Sequence, residues 1–259
     1  MDYFRDGKFH YQLAATPSVA DRATSFDPRF FDPAYCLSLN GARAITEGRG
    51  TAVMFPAARR WLFLKDYQRG GMIKCISNDA YLWTGLERTR AWREFALLNE
   101  MSQLNLSVPE AYACRVEQGS LTYRASLIVE VVRNQGSLMK ILKQQGFEAI
   151  DWRALGEFIG SFGLHRIFHA DLNASNILLQ QNRKFVLIDF DKSYRFKGIR
   201  APLFHHIYEK RMLRRLRRSL LKVKPSVSAS EKEFSDSMWQ LMLAGYRTRS
   251  GKNSVNGLR

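Results

Sequence analysis

The chain has 259 residues and a mass of 29.9 kDa, with 46% hydrophobic and 25% charged residues, enough for one large domain or two small lobes around a real core. That composition excludes a disordered chain and a disulfide-stapled miniprotein, and no apolar run reaches the roughly 20 residues of a membrane-spanning helix. The formal net charge of +16 is uneven: residues 209–224 hold eight basic residues and one acid, for +7, residues 245–259 carry +4, and the rest of the chain only +5. A concentrated basic patch implies a polyanionic partner, and composition does not choose among nucleic acid, anionic lipid and a phosphorylated sugar. The opening residues MDYFRDGKFHYQL lack the basic-then-apolar layout of a signal peptide. Cys36, Cys75 and Cys114 are far apart and in no metal-ligand spacing, so they read as reduced thiols of a cytosolic protein.

In chain order, residues 1–40 mix aromatics with two Phe-Asp-Pro copies, Phe26–Pro28 and Phe31–Pro33, and are expected to form an irregular cap, because proline holds its predecessor extended. From Ala42 to Lys65, ARAIT, TAVMF and WLFLK read as strands, with Gly48 and Gly50 between the first two as hairpin chemistry. Residues 85–103 read as an amphipathic helix with Ala91, Phe95 and Leu98 on one face and Trp92 widening it. Strands are expected at Tyr112–Val116 and Leu121–Val132. A short helix over Leu138–Gln145 ends at Gly146, and Asp151 is placed to cap a helix carrying Trp152, Leu155, Ile159 and Phe162. Two apolar runs follow, Ile177–Leu179 and Phe185–Ile188, and then a basic amphipathic helix over 203–222 with Ile207, Leu213, Leu216 and Leu220 apolar. Strands first and helices later predict an α+β chain of two lobes: a cap over 1–40, a β-rich lobe over 41–133, a helical lobe over 134–245, and a basic tail over 246–259.

The stretch from His169 to Asp191 is richest in chemistry. A polar loop presents Asp171, then Asn176 five residues later; an apolar hairpin follows, and Asp189 emerges at its end. Rigid apolar strands on both sides would hold these oxygens in place, as divalent-metal and phosphoryl chemistry requires. Magnesium favours such a set, a few carboxylate or amide oxygens completed by water and substrate phosphates. An isolated His-x-Asp is common in turns; the ordered set of loop, interval, hairpin and Ile-Asp-Phe is specific.

This segment resembles the catalytic machinery of the protein-kinase-like fold, whose His-x-Asp-Leu-x-x-x-x-Asn loop is matched by His169, Asp171, Leu172 and Asn176. The resemblance implies a bilobal protein-kinase-like fold of α+β class, with a β-rich N-lobe and a mainly helical C-lobe. It implies that Asp171 takes the acceptor proton, that Asn176 and Asp189 bind Mg2+, and that ATP is the phosphate donor. Asp191 stands where protein kinases have Gly, a departure that small-molecule kinases of this fold tolerate. Gly48 and Gly50 would cover the ATP phosphates, unless they are an ordinary hairpin turn. Lys65 would contact those phosphates and pair with Glu94, with Lys74 as its rival, and Glu130 would fall at the lobe hinge.

The match extends further. Gly48–Thr51, Tyr67–Gly71, Tyr81–Trp83, Thr89–Phe95, His169–Ala174, Asn176–Leu179, Ile188–Asp191 and Leu213–Ser219 are similar, in collinear order, to the 3-deoxy-D-manno-octulosonic acid (Kdo) kinases of Gram-negative bacteria. Lys65, often Arg in that family, and Ser175, often His, depart from it. The resemblance implies ATP-dependent phosphorylation of the 4-hydroxyl of Kdo on a lipid A precursor during lipopolysaccharide core assembly. It also implies a peripheral location on the cytoplasmic side of the inner membrane, whose anionic surface the basic helix would touch, or else that helix only packs on the C-lobe. Arg69 with Gly70 and Gly71 either contacts substrate or forms a plain turn. The rivals are another kinase of this fold, acting on a lipopolysaccharide heptose, an aminoglycoside or a protein, and a basic nucleic-acid-binding module. No basic–aromatic or groove-reading motif supports the last, and no specific nucleic acid partner is expected.

Overall fold

Buried aliphatic residues alternating with outward-facing ones set the first unit of the fold. A computed structural model describes residues 2–14, 26–45, 52–57, 60–67, 81–198, 201–226 and 233–251, with the backbone alone within 201–205. Gly48, Gly50, Arg69, Gly70, Gly71, Lys74 and Cys75 lie outside the described residues. The chain forms two compact units, Met1–Ser102 with Pro109–Val132, and Gln103–Val108 with Arg133–Arg259.

The first unit is an antiparallel sheet. Its strands are β1 (Asp2–Asp6), β2 (Phe9–Leu13), β3 (Arg43–Ile45), β4 (Ala52–Ala57), β5 (Arg60–Asp66), β6 (Tyr81–Leu82), β7 (Ala111–Gln118) and β8 (Thr122–Glu130), in the order β1-β2-β7-β8-β5-β4-β3 with β6 also on β8. Leu62 and Leu64 point into the core from β5 while Trp61 faces out, and Val53 and Phe55 meet them from β4. The first residues are therefore strands of the main sheet and not an irregular cap. β1 is exposed along its length, which left no apolar alternation to read, and its place comes from pairing with β2, Tyr3 opposite Gln12.

The Phe-Asp-Pro copies do hold their aspartates extended, and each builds a cap. Asp27 accepts from Arg29 N and starts a 3-10 turn over Pro28–Phe31; Asp32 accepts from Ala34 N and starts α1 (Pro33–Ser38), each proline sitting at the first helical positions. These turns press Phe30, Phe31 and Cys36 into the sheet core. Burial, with Asp32 adding its charge, pushes the Cys36 thiol up to about 12, so it is an inert packing group. The helix expected from residue 85 begins later: Gly85 (φ +112) opens a 3-10 turn over Leu86–Arg88, and α2 runs Arg90–Gln103 with Ala91, Glu94, Phe95, Leu98 and Met101 buried.

The second unit contains β9 (Gly136–Ser137), α3 (Leu138–Gln145), α4 (Trp152–Leu164), β10 (Ile167–Phe168), β11 (Ile177–Leu179), β12 (Phe185–Leu187), β13 (Tyr194–Arg195), α5 (Ala201–Leu220) and α6 (Asp236–Ser250). Ser137 and Asp151 cap α3 and α4 by accepting from Lys140 N and Ala154 N, as such residues do where the first helical N–H groups lack partners. Leu213, Leu216 and Leu220 of α5 are buried, but Ile207 is 59% exposed and belongs to the outer face. Helix α6 continues to Ser250, through the start of the stretch expected as a tail.

Helices α4 and α6 touch backbone to backbone. A Cβ on Gly156 would lie 1.9 Å from Met242 O, one on Gly245 2.1 Å from Arg153 O, and one on Gly160 2.7 Å from Tyr246 O. Helix α5 joins through Glu209, which is buried and accepts a hydrogen bond from Tyr246 Oη. Burial and the neighbouring Glu209 carboxylate push the Tyr246 phenol well above its ordinary pKa, keeping it a donor. Arg217 adds an ion pair to Asp236 at 2.7 Å and lies over Trp239.

Alanine in an exposed helix normally gains about 1 kcal/mol over glycine. Gly156→Ala and Gly245→Ala are expected to do the reverse, losing about 1–3 kcal/mol as the helices are forced apart, read as a lower urea midpoint.

Candidate functional site

In the second unit, the loop 169–176 leaves β10 and enters β11. On one side β10 pairs with β13, Phe168 opposite Tyr194; on the other β11 pairs with β12, Leu178 opposite Val186. A polar loop in this position needs partners for its backbone, and its own side chains supply them. Asn173 Nδ2 and Asn176 Nδ2 both donate to the Asp171 carbonyl, at 3.0 and 2.9 Å. Asn173 Oδ1 accepts from Ser175 N and Asn176 N. Leu172 and Ala174, fully buried, anchor the loop to the core between these polar residues.

His169 is 1% exposed, and its role here is structural. Its Nδ1 accepts from Asp171 N at 3.2 Å, so the proton sits on Nε2, which donates to Ile188 O at 3.0 Å. The ring lies edge-on to Phe190 at 4.8 Å between centroids. One imidazole thereby ties the Asp171 backbone to the segment bearing Asp189.

Asp189 itself adopts a left-handed backbone, φ +64, just past β12. Aspartate tolerates that region better than most residues. The reversal turns Phe190 inward against His169 and Phe162. Ile188 N donates to Asn176 O at 2.9 Å, which brings Asn176 beside the residue preceding Asp189. Asp171, Asn176 and Asp189 are thus joined through one hydrogen-bonded framework.

Three further anchors come from outside the loop. Ser193 Oγ accepts from Ala170 N and Ser219 Oγ, on α5, accepts from Ala174 N, each at 3.0 Å. Arg215, also on α5, places Nε 2.7 Å from Asp171 Oδ1 and donates from Nη1 to Ala170 O at 3.2 Å. Of the basic stretch 209–224, Arg215 and Arg217 are tied to the loop and to α6. The matched stretch Leu213–Ser219 contained that signal, but charge composition alone could not separate inward-reaching from outward-facing arginines.

In the first unit, Lys65 and Glu94 are brought together: Lys65 Nζ is 3.3 Å from both Glu94 carboxylate oxygens. Lys65 is a quarter exposed and Glu94 nearly buried. Tyr67 Oη also donates to Glu94, and Lys65 Nζ lies 5.0 Å from the Tyr67 ring centroid. Tyr67 was not foreseen as part of this group. Glu130 pairs with Arg60 in this unit.

A β-rich unit with a paired strand lysine and helix glutamate, and a helical unit with an Asp–Asn loop, a hairpin and a second Asp, make up a protein-kinase-like fold. A solved structure of WaaP in complex with acyl carrier protein shares that fold, with a TM-score of 0.56 over 85% of this chain and 86% of that one, at 14% identity. Sequence comparison narrows the class. The model of the lipopolysaccharide kinase (Kdo/WaaP) family matches residues 41–246. Proteins named 3-deoxy-D-manno-octulosonic acid kinase are 32% identical in Photobacterium profundum, over 85% of this chain and 89% of that protein, and 38% identical in Xylella fastidiosa, over 74% and 76%. The chain belongs to the lipopolysaccharide kinase (Kdo/WaaP) family and is a kinase.

Replacing His169 with Ala should leave Asp171 N and Ile188 O without partners, costing roughly 1–3 kcal/mol for each buried group. Urea unfolding reads that loss directly. A change in turnover with no change in stability would assign His169 a chemical role instead.

Proposed function

We propose that this protein transfers the γ-phosphate of ATP to the 4-hydroxyl of a Kdo residue on a lipid A precursor, in lipopolysaccharide core biosynthesis. The observation that carries the reading is the framework joining Asp171, Asn176 and Asp189 in a chain of this family. Transfer proceeds in line, with no covalent enzyme intermediate. Asp171 accepts the proton of the attacking hydroxyl. Lys65, held by Glu94, contacts the ATP phosphates, and Gly48 and Gly50 cover them.

Asn176 and Asp189 would hold Mg2+. The donor set fits: Asn176 Nδ2 is committed to the Asp171 carbonyl, which leaves Oδ1 as the coordinating atom, and Asp189 contributes a carboxylate. Magnesium favours such a donor set, a few amide or carboxylate oxygens completed by water and phosphate oxygens. Magnesium, when bound, neutralises phosphate charge.

The protein works at the cytoplasmic face of the inner membrane, attached peripherally. No helix among the described residues is long and apolar enough to cross a membrane. The attachment surface is the outer face of α5 and the turn after it, where Arg211, Arg214, Arg218 and Lys222 recur at helical spacing and Ile207 and Leu221 are exposed beside them. Each basic residue near an anionic surface contributes roughly 1 kcal/mol.

Mass spectrometry of Kdo-lipid A precursor incubated with the protein, ATP and magnesium tests the reaction and substrate together. One added phosphate, located on Kdo, is expected; phosphate on another sugar, or none, would refute the assignment. Asp171→Asn should keep the fold and ATP binding and lose on the order of 10²–10⁴-fold in turnover, since the amide cannot take the proton. Near-normal turnover would remove Asp171 from the reaction.

Replacing Arg211, Arg214, Arg218 and Lys222 with Gln should release the protein from anionic vesicles in flotation, and high salt should mimic the change by screening. Arg215 and Arg217 are left in place because they pair with Asp171 and Asp236. Equal, salt-insensitive flotation of variant and parent would end the electrostatic-anchor idea.

A further inference from the structure

Arg215 on α5 abuts the second unit's polar loop at Ala170 and Asp171, yet its geometry uses only part of its capacity. A guanidinium carries five N–H donors in a rigid planar fork. Nε faces Asp171 Oδ1 at 2.7 Å and Nη1 reaches Ala170 O at 3.2 Å. These two contacts use two of the three guanidinium nitrogens. Both side chains are about half exposed, 45% for Arg215 and 47% for Asp171, so a solute can reach them. Beside the proposed base, then, stands a fixed cation with donors to spare.

The backbone contact to Ala170 and the burial of Leu213 and Leu216 on either side hold this arginine against the loop. An acceptor whose hydroxyl hydrogen-bonds to Asp171 must come within about 3 Å of that carboxylate. A second, anionic group on the same compact molecule is then within reach of the guanidinium. A planar carboxylate matches the fork better than any neutral sugar group, and the bond is charge-assisted.

We propose that Arg215 determines acceptor specificity by binding the carboxylate of the acceptor sugar while the hydroxyl to be phosphorylated meets Asp171. This inference rests on the acceptor reading given under Proposed function, since Kdo is an acid. The ion pair with Asp171 keeps the guanidinium oriented before the acceptor arrives, and the carboxylate takes the remaining donors. An uncharged sugar would leave those donors unmatched.

The test compares the Kdo-bearing lipid acceptor with its Kdo methyl ester and with a form lacking the lipid phosphates, using the parent protein, R215Q and R215K. With the parent, esterification should raise the acceptor KM roughly 10–100-fold. R215Q should raise the KM for the acid by a similar factor and add little for the ester, because both changes remove one interaction. R215K should recover part of the preference, as it keeps the charge without the fork, and the KM for ATP should not move. Equal handling of acid and ester by the parent would overturn the inference while the phosphorylated product upholds the acceptor reading. R215Q that loses kcat but keeps the full preference for acid would also overturn it, and would make Arg215 only a positioning residue for Asp171. So would an Arg215 dependence that disappears with the lipid phosphates instead of with the ester. No turnover of any acceptor by the parent would sink the acceptor reading and this inference with it.

Discussion

The carbonyl oxygen of Asp171 accepts two side-chain amides, from Asn173 and Asn176, and the rest of the polar loop is arranged around that point. A loop between two strand pairs cannot leave its backbone groups unpaired, and water is poorly placed to serve residues flanked by the buried Leu172 and Ala174. Internal side chains therefore supply partners: Asn173 Oδ1 accepts from Ser175 N and Asn176 N, and His169 bridges Asp171 N to Ile188 O. The bonds that satisfy the backbone also restrict where the Asp171 carboxylate and the Asn176 amide oxygen can point. Stability and function share the same atoms here.

That loop is held from below by helix α5. Ser219 and Arg215 bond to its backbone at Ala174 and Ala170, while Glu209 and Arg217 on the same helix engage α6. Helix α6 in turn meets α4 at glycines, where no side chain separates the backbones. Position is thus passed from a close helix contact to the polar loop through hydrogen bonds and one buried carboxylate. In the other unit the Lys65–Glu94 pair gains a third member, Tyr67, whose hydroxyl shares the Glu94 carboxylate. A nearly buried acid with two donors is well matched, whereas one with a single distant lysine would not be.

The excess charge of α5 serves two ends. Arg215 and Arg217 reach inward to Asp171 and Asp236; Arg211, Arg214 and Arg218 remain on the exposed side. An arginine can do either because its long apolar stem lets the head group travel. Counting charge along the chain treats all of them alike.

Much was legible from local pattern. The helix over Leu138–Gln145, the Asp151 cap, the hairpin at Ile177–Leu179 and Phe185–Leu187, and the pairing of Lys65 with Glu94 follow from periodicity, capping chemistry and the motif order, all of which are local or carried by resemblance. What stayed hidden has a common cause. Exposed β1 is a strand because β2 offers it an edge, α6 is a helix whose own apolar stripe is weak but whose glycine fits α4, and Ile207 faces out because α5 turns Leu213 and Leu216 inward. The residue types and their spacing determined the local conformations, and the resemblance of the motifs carried the kinase class. Which arginine meets Asp171, which strand takes the edge and which helix face is covered depend on partners distant in the chain, so only the tertiary structure decided them.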